Sequence, residues 1–294
     1  MINGTQPDLW DQYGFESPKP GAMRIHKLNL VLLLLFSGCL LAQPAGKTLI
    51  CLTYDDGLPS HLNTVIPQLD SFGFKGTFFI NSIRGSSDNI GSISPELIGW
   101  NKASEKGHEI GNHTLFHACP EAFGWQKSFA LETYTIPRLL QEIKLAGELL
   151  ALVDGKKSLR NFAYPCNNFS LHDTDFSMLL QSGSFIKYAR TGGNRDSIVS
   201  DPAHANLLKI PSWLVEEGTG LNELIAFARA ARKVNGIGVY QFHGIGSEFF
   251  RVDAQVHRAF LRWLKEHASE YEVGTFEETA QEIIRKGQPG FPDR

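Results

Sequence analysis

The stretch TLICLTYDDG, residues 48–57, decides the fold. Its continuous apolar run reads as a buried strand, and the strand ends on two adjacent carboxylates, Asp55 and Asp56. The segment HLNTVIPQLDSF (61–72) carries helical periodicity and KGTFFIN (75–81) reads as a second strand. A strand, helix, strand unit this tight is a parallel crossover. Outward from it the alternation continues. Helices are expected at 95–107, 134–155, 176–183, 221–236, 256–270 and 277–286, and strands at 108–113, 161–165, 185–191, 236–244 and 272–276. With no internal repeat, low-complexity tract or linker, one domain over residues 45–294 is the simplest organisation. Six or seven strand–helix alternations, with the polar signatures placed just after strands, imply an α/β fold, a closed or distorted (β/α) barrel whose site sits at the C-terminal strand ends.

A chain of 294 residues that is 42% hydrophobic and 11% aromatic has ample material for a core. A net charge of -3 gives no electrostatic case for nucleic acid. The N-terminal part reads as processing: from Met23 a basic start, the apolar run 28–35 and small residues form an export signal over 23–44, behind a polar extension, 1–22, taken as non-native or disordered. Two cleavage readings stand. The small residues before Cys39 resemble a lipoprotein signal that would tether the protein through that cysteine, and Ala42 before Gln43 resembles an ordinary peptidase site leaving a periplasmic or secreted protein. The run is too short for a comfortable membrane span and no other span is visible, so none is expected after processing. Of the remaining cysteines, Cys51 lies in the apolar strand and reads as a buried free thiol.

Three strand ends carry the chemistry. Two adjacent carboxylates at a strand end repel, and burying either unpartnered costs several kcal/mol, which a divalent cation resolves. DDG is also ordinary turn chemistry, and both readings hold together if the turn places the carboxylates. In GHEIGNHTLFHAC (107–119), His113 and His117 are four apart, the spacing that puts two imidazoles on one face of a helical turn. Two histidines and one carboxylate form a standard open catalytic zinc site, with the second carboxylate left over as a base. His243, in YQFHGIG, reads either as the acid or as a buried strand histidine bonded to backbone.

TYDDG, HTLFH, FAYPCN and FHGIG, in this order, resemble the four motif blocks of the polysaccharide deacetylases, carbohydrate esterase family four, from about Lys47 to Phe276. The resemblance implies a distorted (β/α)7 barrel holding one divalent metal, commonly Zn2+ with Co2+, Ni2+ or Mn2+ as alternatives, and hydrolysis of acetyl groups on a polysaccharide or oligosaccharide. Position by position it implies Asp55 as catalytic base, Asp56, His113 and His117 as metal ligands, His243 as catalytic acid, and a backbone oxyanion donor near Cys166 and Tyr164. Where the third block has an arginine holding the base, this chain has Ala163, and Cys166 replaces an aromatic. Arg190, in KYARTGG, either supplies that cation from the next strand or is an ordinary surface arginine. Trp213 and Phe242 are candidates for the acetyl-pocket wall, and Trp213 reads equally as a core tryptophan. Cys119, two residues past His117, and Cys166 should then share one rim, where a disulfide would rigidify the site. Amide and ester cleavage remain open, as does a carbohydrate-binding protein that keeps the barrel without turnover, a reading favoured only by the missing arginine.

Overall fold

The computed structural model describes residues 46–84, 92–93 and 96–288. The extension 1–22, the export signal 23–44 and Cys39 lie outside them. In chain order the principal elements are β1 (Thr48–Asp55), α1 (Ile66–Phe72), β2 (Thr77–Ile80), α2 (Trp100–Glu105), β3 (Glu109–Asn112), α3 (Ile136–Asp154), β4 (Phe162–Ala163), α4 (Ser177–Ser182), β5 (Ala189–Arg190), β6 (Trp213–Leu214), α5 (Leu221–Lys233), β7 (Gly238–Phe242), α6 (Ala254–Glu266), β8 (Tyr271–Gly274) and α7 (Phe276–Lys286). Seven parallel strands run in the order β6-β7-β1-β2-β3-β4-β5, and β8 adds to β1 off that path. This order is a cyclic permutation of the chain order, the mark of a (β/α)7 ring. The ends of the row meet through Thr191 N donating to Ile210 O at 2.9 Å and Leu214 N donating to Gly193 O at 3.1 Å. The short strands β4 to β6 make the ring a distorted one.

The local causes are visible in the chain. α1 buries Ile66 and Leu69, carries on from a π turn over His61–Val65, and stops at Gly73 in the left-handed conformation, φ 72°. α6 starts where the Asp253 side chain accepts from Gln255 N and Val256 N, and α7 starts with a capping box of Thr275 and Glu278. β4 is cut to two residues where a longer strand was expected, because Pro165 lacks a donor and Cys166 and Asn167 follow with φ 50° and 56°.

Strand alternation sorts side chains into two layers. One face of each strand looks outward to the helices, where Leu52, Tyr54, Phe78, Trp100, Tyr240 and Phe260 form the large core. The other looks into the barrel, where Cys51, Phe79, Ala163, Ile210 and Val239 pack on Phe276, Ala280 and Ile283 of α7. Cys51 is free and buried there, as its apolar setting implied.

This alternation decides between the two readings of Trp213, in favour of the core tryptophan, and corrects the placing of Phe242. Trp213 pairs with Tyr240 and Leu214 with Gln241 across β6 and β7, so Trp213 faces outward and packs against Phe227 at 5.2 Å between ring centroids. Phe242 likewise faces outward, stacked on Tyr54 at 5.4 Å. Neither lines the cavity; Leu214 and Gln241, each one residue away, do. β6 itself had not been expected as a strand, since two residues carry too little periodicity to register.

Trp213→Ala should therefore lower the unfolding free energy by about 3–5 kcal/mol in urea titration. Leu214→Ala, on the other face, should cost much less, and equal losses would contradict the assignment of faces.

Candidate active site

A cavity of about 770 Å3 opens at the C-terminal ends of the strands. Asp55 ends β1, His113 follows β3, Cys166 follows β4, and Gln241 and His243 come from β7 and just beyond, all lining it. Arg190, ending β5, stands behind Asp55.

Asp55 Oδ2 accepts from Arg190 Nη2 at 2.5 Å and from Gln241 Nε2 at 3.0 Å. Asp55 and Arg190 are fully buried. Arg190 is itself held by Ser212, whose Oγ accepts from Nη1 at 3.0 Å and donates to Thr191 O at 2.7 Å. Burial pushes the Asp55 carboxyl up, but Arg190, then His113 and His243, together outweigh it and hold the group below the usual carboxylate value. Oδ1 is buried with no partner, so the carboxylate is clamped by one oxygen and offers the other. Of the two readings of Arg190, the buried partner of Asp55 is the one found. Nothing in the sequence pointed to Gln241.

Asp56 follows with φ 76° and Gly57 with φ 59°; a Cβ on Gly57 would meet Ile80 Cγ2 at 3.0 Å. The turn and the presented carboxylate are thus one feature. Asp56 Oδ1 lies 3.5 Å from His113 Nε2 and 3.2 Å from His117 Nε2. His113 Nδ1 lies 2.8 Å from Ala163 O; a carbonyl only accepts, so Nδ1 carries the hydrogen and Nε2 keeps its lone pair toward Asp56. The three ligand atoms fall within 4.8 Å of one another, and Asp56 Oδ1 is buried without a hydrogen-bond partner. Burial lowers the His113 pKa, but Asp56 and Asp55 outweigh it and hold the ring above its usual value, a preference for positive charge beside Asp56 that a divalent ion would satisfy in place of the proton; two imidazole nitrogens and an orphaned carboxylate oxygen fit such an ion. Burial lowers His117 to about 4, favouring the unprotonated ring that ligation requires.

The two histidines are not on a helical turn, contrary to the expectation from their spacing. Thr114 and His117 have φ 65° and 52°; Asn112 Oδ1 accepts from Thr114 N and Thr114 Oγ1 from His117 N, each at 2.9 Å. Side-chain acceptors take the donors a helix would have used, and a loop brings the rings to 4.6 Å.

His243 is nearly buried, its Nε2 3.9 Å from Asp56 Oδ2 and its Nδ1 without a partner. Burial pushes its pKa down, and Asp56 and Asp55 recover only part. Its carbonyl accepts at 2.9 Å from Nε2 of His61, a buried histidine whose Nδ1 accepts from Leu58 N. Burial pushes His61 down to about 4, so it is a neutral prop for the His243 backbone.

Cys119 and Cys166 are joined in a disulfide with a Cα–Cα distance of 5.8 Å. Cys119 Sγ lies 3.5 Å from His117 Nδ1, and the bridged sulfurs are not thiolate ligands. Tyr164 does not belong to the site. Its ring faces outward and its hydroxyl donates to Leu208 O at 3.0 Å, the opposite strand face from Ala163. Around the mouth stand aromatics that no motif announced: Phe116, Phe123 and Trp125 on one side, Phe249 and Phe250 on the other.

The polysaccharide deacetylase family model matches residues 42–174. A chitin deacetylase from Pestalotiopsis sp is 37% identical over 67 residues, 23% of this chain and 21% of that enzyme. The chain spans no more than 15% and 21% of the two curated relatives it matches. Among solved structures, the Xyl-CE4 domain of a multidomain xylanase from the hindgut metagenome of Trinervitermes trinervoides aligns with a TM-score of 0.52 at 16% identity, covering 84% of this chain and 95% of that one. The catalytic domain of peptidoglycan N-acetylglucosamine deacetylase from Eubacterium rectale aligns with a TM-score of 0.50 at 14% identity, covering 79% and 89%. At these identities the likeness shows the fold, a distorted (β/α)7 barrel.

Arg190→Ala leaves Asp55 charged and unpaired inside the barrel, so stability at neutral pH should fall by about 3–5 kcal/mol. Adding Asp55→Asn should recover much of that; additive losses in the double-mutant cycle would deny the coupling. In equilibrium dialysis with zinc, His113→Ala and His117→Ala should each hold far less ion than the parent chain, and a full equivalent in both would remove the site.

Proposed function

We propose that the chain, whose residues 42–174 match the polysaccharide deacetylase family model, is a member of that family and a metal-dependent hydrolase releasing acetate from an acetylated polysaccharide or oligosaccharide, as amide on N-acetylglucosamine units or as ester on acetylated xylan. The observation that carries this reading is the clamp on Asp55: Arg190 and Gln241 hold one oxygen and leave the other free, beside the Asp56, His113 and His117 trio.

Asp56, His113 and His117 would hold the ion, with Zn2+ the first choice for that donor set. When bound, it supplies Lewis acidity, polarising an acetyl carbonyl and acidifying water. Asp55, kept ionised by Arg190, takes the proton of the attacking water at Oδ1. The backbone near Cys166 is the proposed donor to the developing oxyanion, pinned by the disulfide. His243, its Nε2 3.9 Å from Asp56 Oδ2 on the rim of the same cavity, is the proposed donor of a proton to the leaving nitrogen or oxygen.

A binding protein without turnover drew its support from the missing third-block arginine. Arg190 stands on Asp55 in its place, and that support is gone. The bridge between Cys119 and Cys166 supports an exported protein acting in an oxidising compartment, periplasmic or secreted. No helix among the described residues is long and apolar enough to cross a membrane.

Acetate release by the zinc-loaded chain, followed on acetylated xylan and on N-acetylglucosamine oligomers, should stop on adding chelator and return with zinc. Asp55→Asn should cut the rate by about 10²–10⁴-fold while zinc stays bound. Release indifferent to chelator, or an Asp55→Asn variant at parental rate, would overturn the mechanism.

A further inference from the structure

His117 turns its two ring nitrogens to different neighbours. Nε2 lies 3.2 Å from Asp56 Oδ1, inside the candidate trio, and Nδ1 lies 3.5 Å from Cys119 Sγ. His113 is arranged otherwise: its Nδ1 hydrogen goes to Ala163 O at 2.8 Å, the anchoring usual for a ligating histidine. Nδ1 of His117 has instead a bridged sulfur beside it, a weak acceptor.

That sulfur is one corner of a second set of donors. His117, Cys119 and Cys166 each bring a ligand atom within 4.8 Å of the others, as Asp56, His113 and His117 do. A nitrogen and a sulfur on one tetrahedral zinc ion, bound at about 2.0–2.1 and 2.3 Å, stand about 3.5 Å apart. His117 Nδ1 and Cys119 Sγ already have that separation. The backbone carrying the sulfurs is held by bonds of its own: Leu131 N donates to Cys119 O at 2.9 Å, Asn167 N to Tyr164 O at 2.9 Å and Asn168 N to Pro165 O at 3.0 Å. Opening the bridge therefore leaves both cysteines beside His117.

While the bridge is closed, its sulfurs are spent on each other and are not thiolate ligands. Once opened, two thiolates and an imidazole make a softer set than a carboxylate and two imidazoles, and soft ions prefer it. The two sets share His117, and a neutral imidazole has a single lone pair. When Nδ1 takes an ion, the hydrogen sits on Nε2, which no longer ligates.

We propose that Cys119, Cys166 and His117 Nδ1 form a second metal site, for a soft divalent cation such as zinc or cadmium, which exists only when the disulfide is reduced and which takes the ion and His117 away from Asp56 and His113. This rests on the reading of Asp56, His113 and His117 as holders of the ion in the bridged chain. Opening follows thiol–disulfide exchange. A thiolate of a dithiol reductant attacks Cys166 Sγ, which lines the cavity, and the S–S electron pair leaves with the buried Cys119 Sγ. The reductant's second thiolate then displaces Cys166 Sγ and closes as a cyclic disulfide, so two electrons and two protons have passed to the protein. The two protons leave again when the thiols take the ion. Besides bracing its loops, the bridge thus withholds two thiolates from the ion.

The full chain is loaded with Co2+, whose bonds to thiolate absorb in the near ultraviolet, and is reduced with a phosphine, since dithiols bind cobalt themselves. The phosphine ends as its oxide, with oxygen from water. The bridged chain should take up a single ion without that absorption, and the reduced chain should hold a single ion and show it. Reduced His117→Gln should lose most of the absorption at the cobalt concentration that saturates the parent, as two thiolates in an unfolded chain would not. Cys119→Ser combined with Cys166→Ser has neither bridge nor thiolates there. It should absorb in neither state, and whatever rate of 4-nitrophenyl acetate hydrolysis it keeps with zinc should not respond to phosphine, whereas the parent's should fall. This separates withdrawal of the ion from loss of the brace. No absorption on reducing the parent, absorption unchanged by His117→Gln, or two ions held per reduced chain would overturn the proposal. A bridged chain that takes up no cobalt would instead sink the reading of Asp56, His113 and His117, while thiolate absorption on reduction would keep the second site.

Discussion

An ionised carboxylate closed off from bulk solvent must be compensated, and Asp55 meets its compensation from the far side of the barrel. Arg190 sits on β5 and Asp55 on β1, 135 residues apart, and they meet only because the ring of strands closes. The closing segment participates directly. Ser212, between Ile210 and β6, accepts from the same guanidinium and donates to Thr191 O. An open sheet would leave both charges unpaired in an apolar interior, each at a cost of several kcal/mol. Barrel closure and an ionised Asp55 are therefore one structural event. The fold and the site are stabilised or lost together.

The pair also explains the division of labour among strand faces. Inward positions near the C-terminal ends are polar, with Asp55, Arg190 and Gln241 forming a hydrogen-bonded layer above the apolar plug of Cys51, Val239, Phe79 and Phe276. Outward positions in the same strands, Tyr54, Ala189 and Phe242, pack against other residues of the outer cores. The candidate metal trio uses different means. Asp56, His113 and His117 all lie past the ends of strands, placed by left-handed backbone and by side-chain to backbone hydrogen bonds rather than by the pleat. Asp55 is thus set by the barrel and the candidate metal ligands by its turns.

This difference decides what could be read from the chain alone. Adjacent carboxylates after an apolar run, and histidines four apart, are visible because each pair is local. Spacing told that His113 and His117 converge but not how, since Asn112 and Thr114 outcompete the helix for its own donors. Arg190 was legible as a candidate through a gap, an alanine where a cation was wanted. The facing of Trp213, Phe242 and Tyr164 was not legible for one reason: it alternates with every residue, and the register that settles it depends on cross-strand pairing. Gln241 was one position from Phe242 on the same strand. Trp125, Phe249 and Phe250 left no trace because they sit on loops, where neither period applies and only three-dimensional closure brings them to one rim.

Backbone strain gives an independent map of the same site. Among the described residues, eleven non-glycine positions have positive φ, and seven of them, Asp56, Thr114, His117, Cys166, Asn167, Glu248 and Phe250, lie in or beside the cavity. Such residues persist only where surrounding structure over-determines them. Each has its fastening: Gly57 and Ile80 behind Asp56, Asn112 behind Thr114, Thr114 behind His117, the bridge to Cys119 behind Cys166, Asn167 N donating to Tyr164 O at 2.9 Å, and three backbone hydrogen bonds around the loop of Glu248 and Phe250. The strained positions include two of the three candidate ligands, the proposed oxyanion region and one aromatic ring at the cavity mouth. A chain selected for stability alone would relax them to glycine. Their retention as aspartate, histidine, cysteine and phenylalanine puts the directions of those side chains ahead of backbone ease, and the large outer core behind β1 and β7 supplies the stability that makes this tolerable.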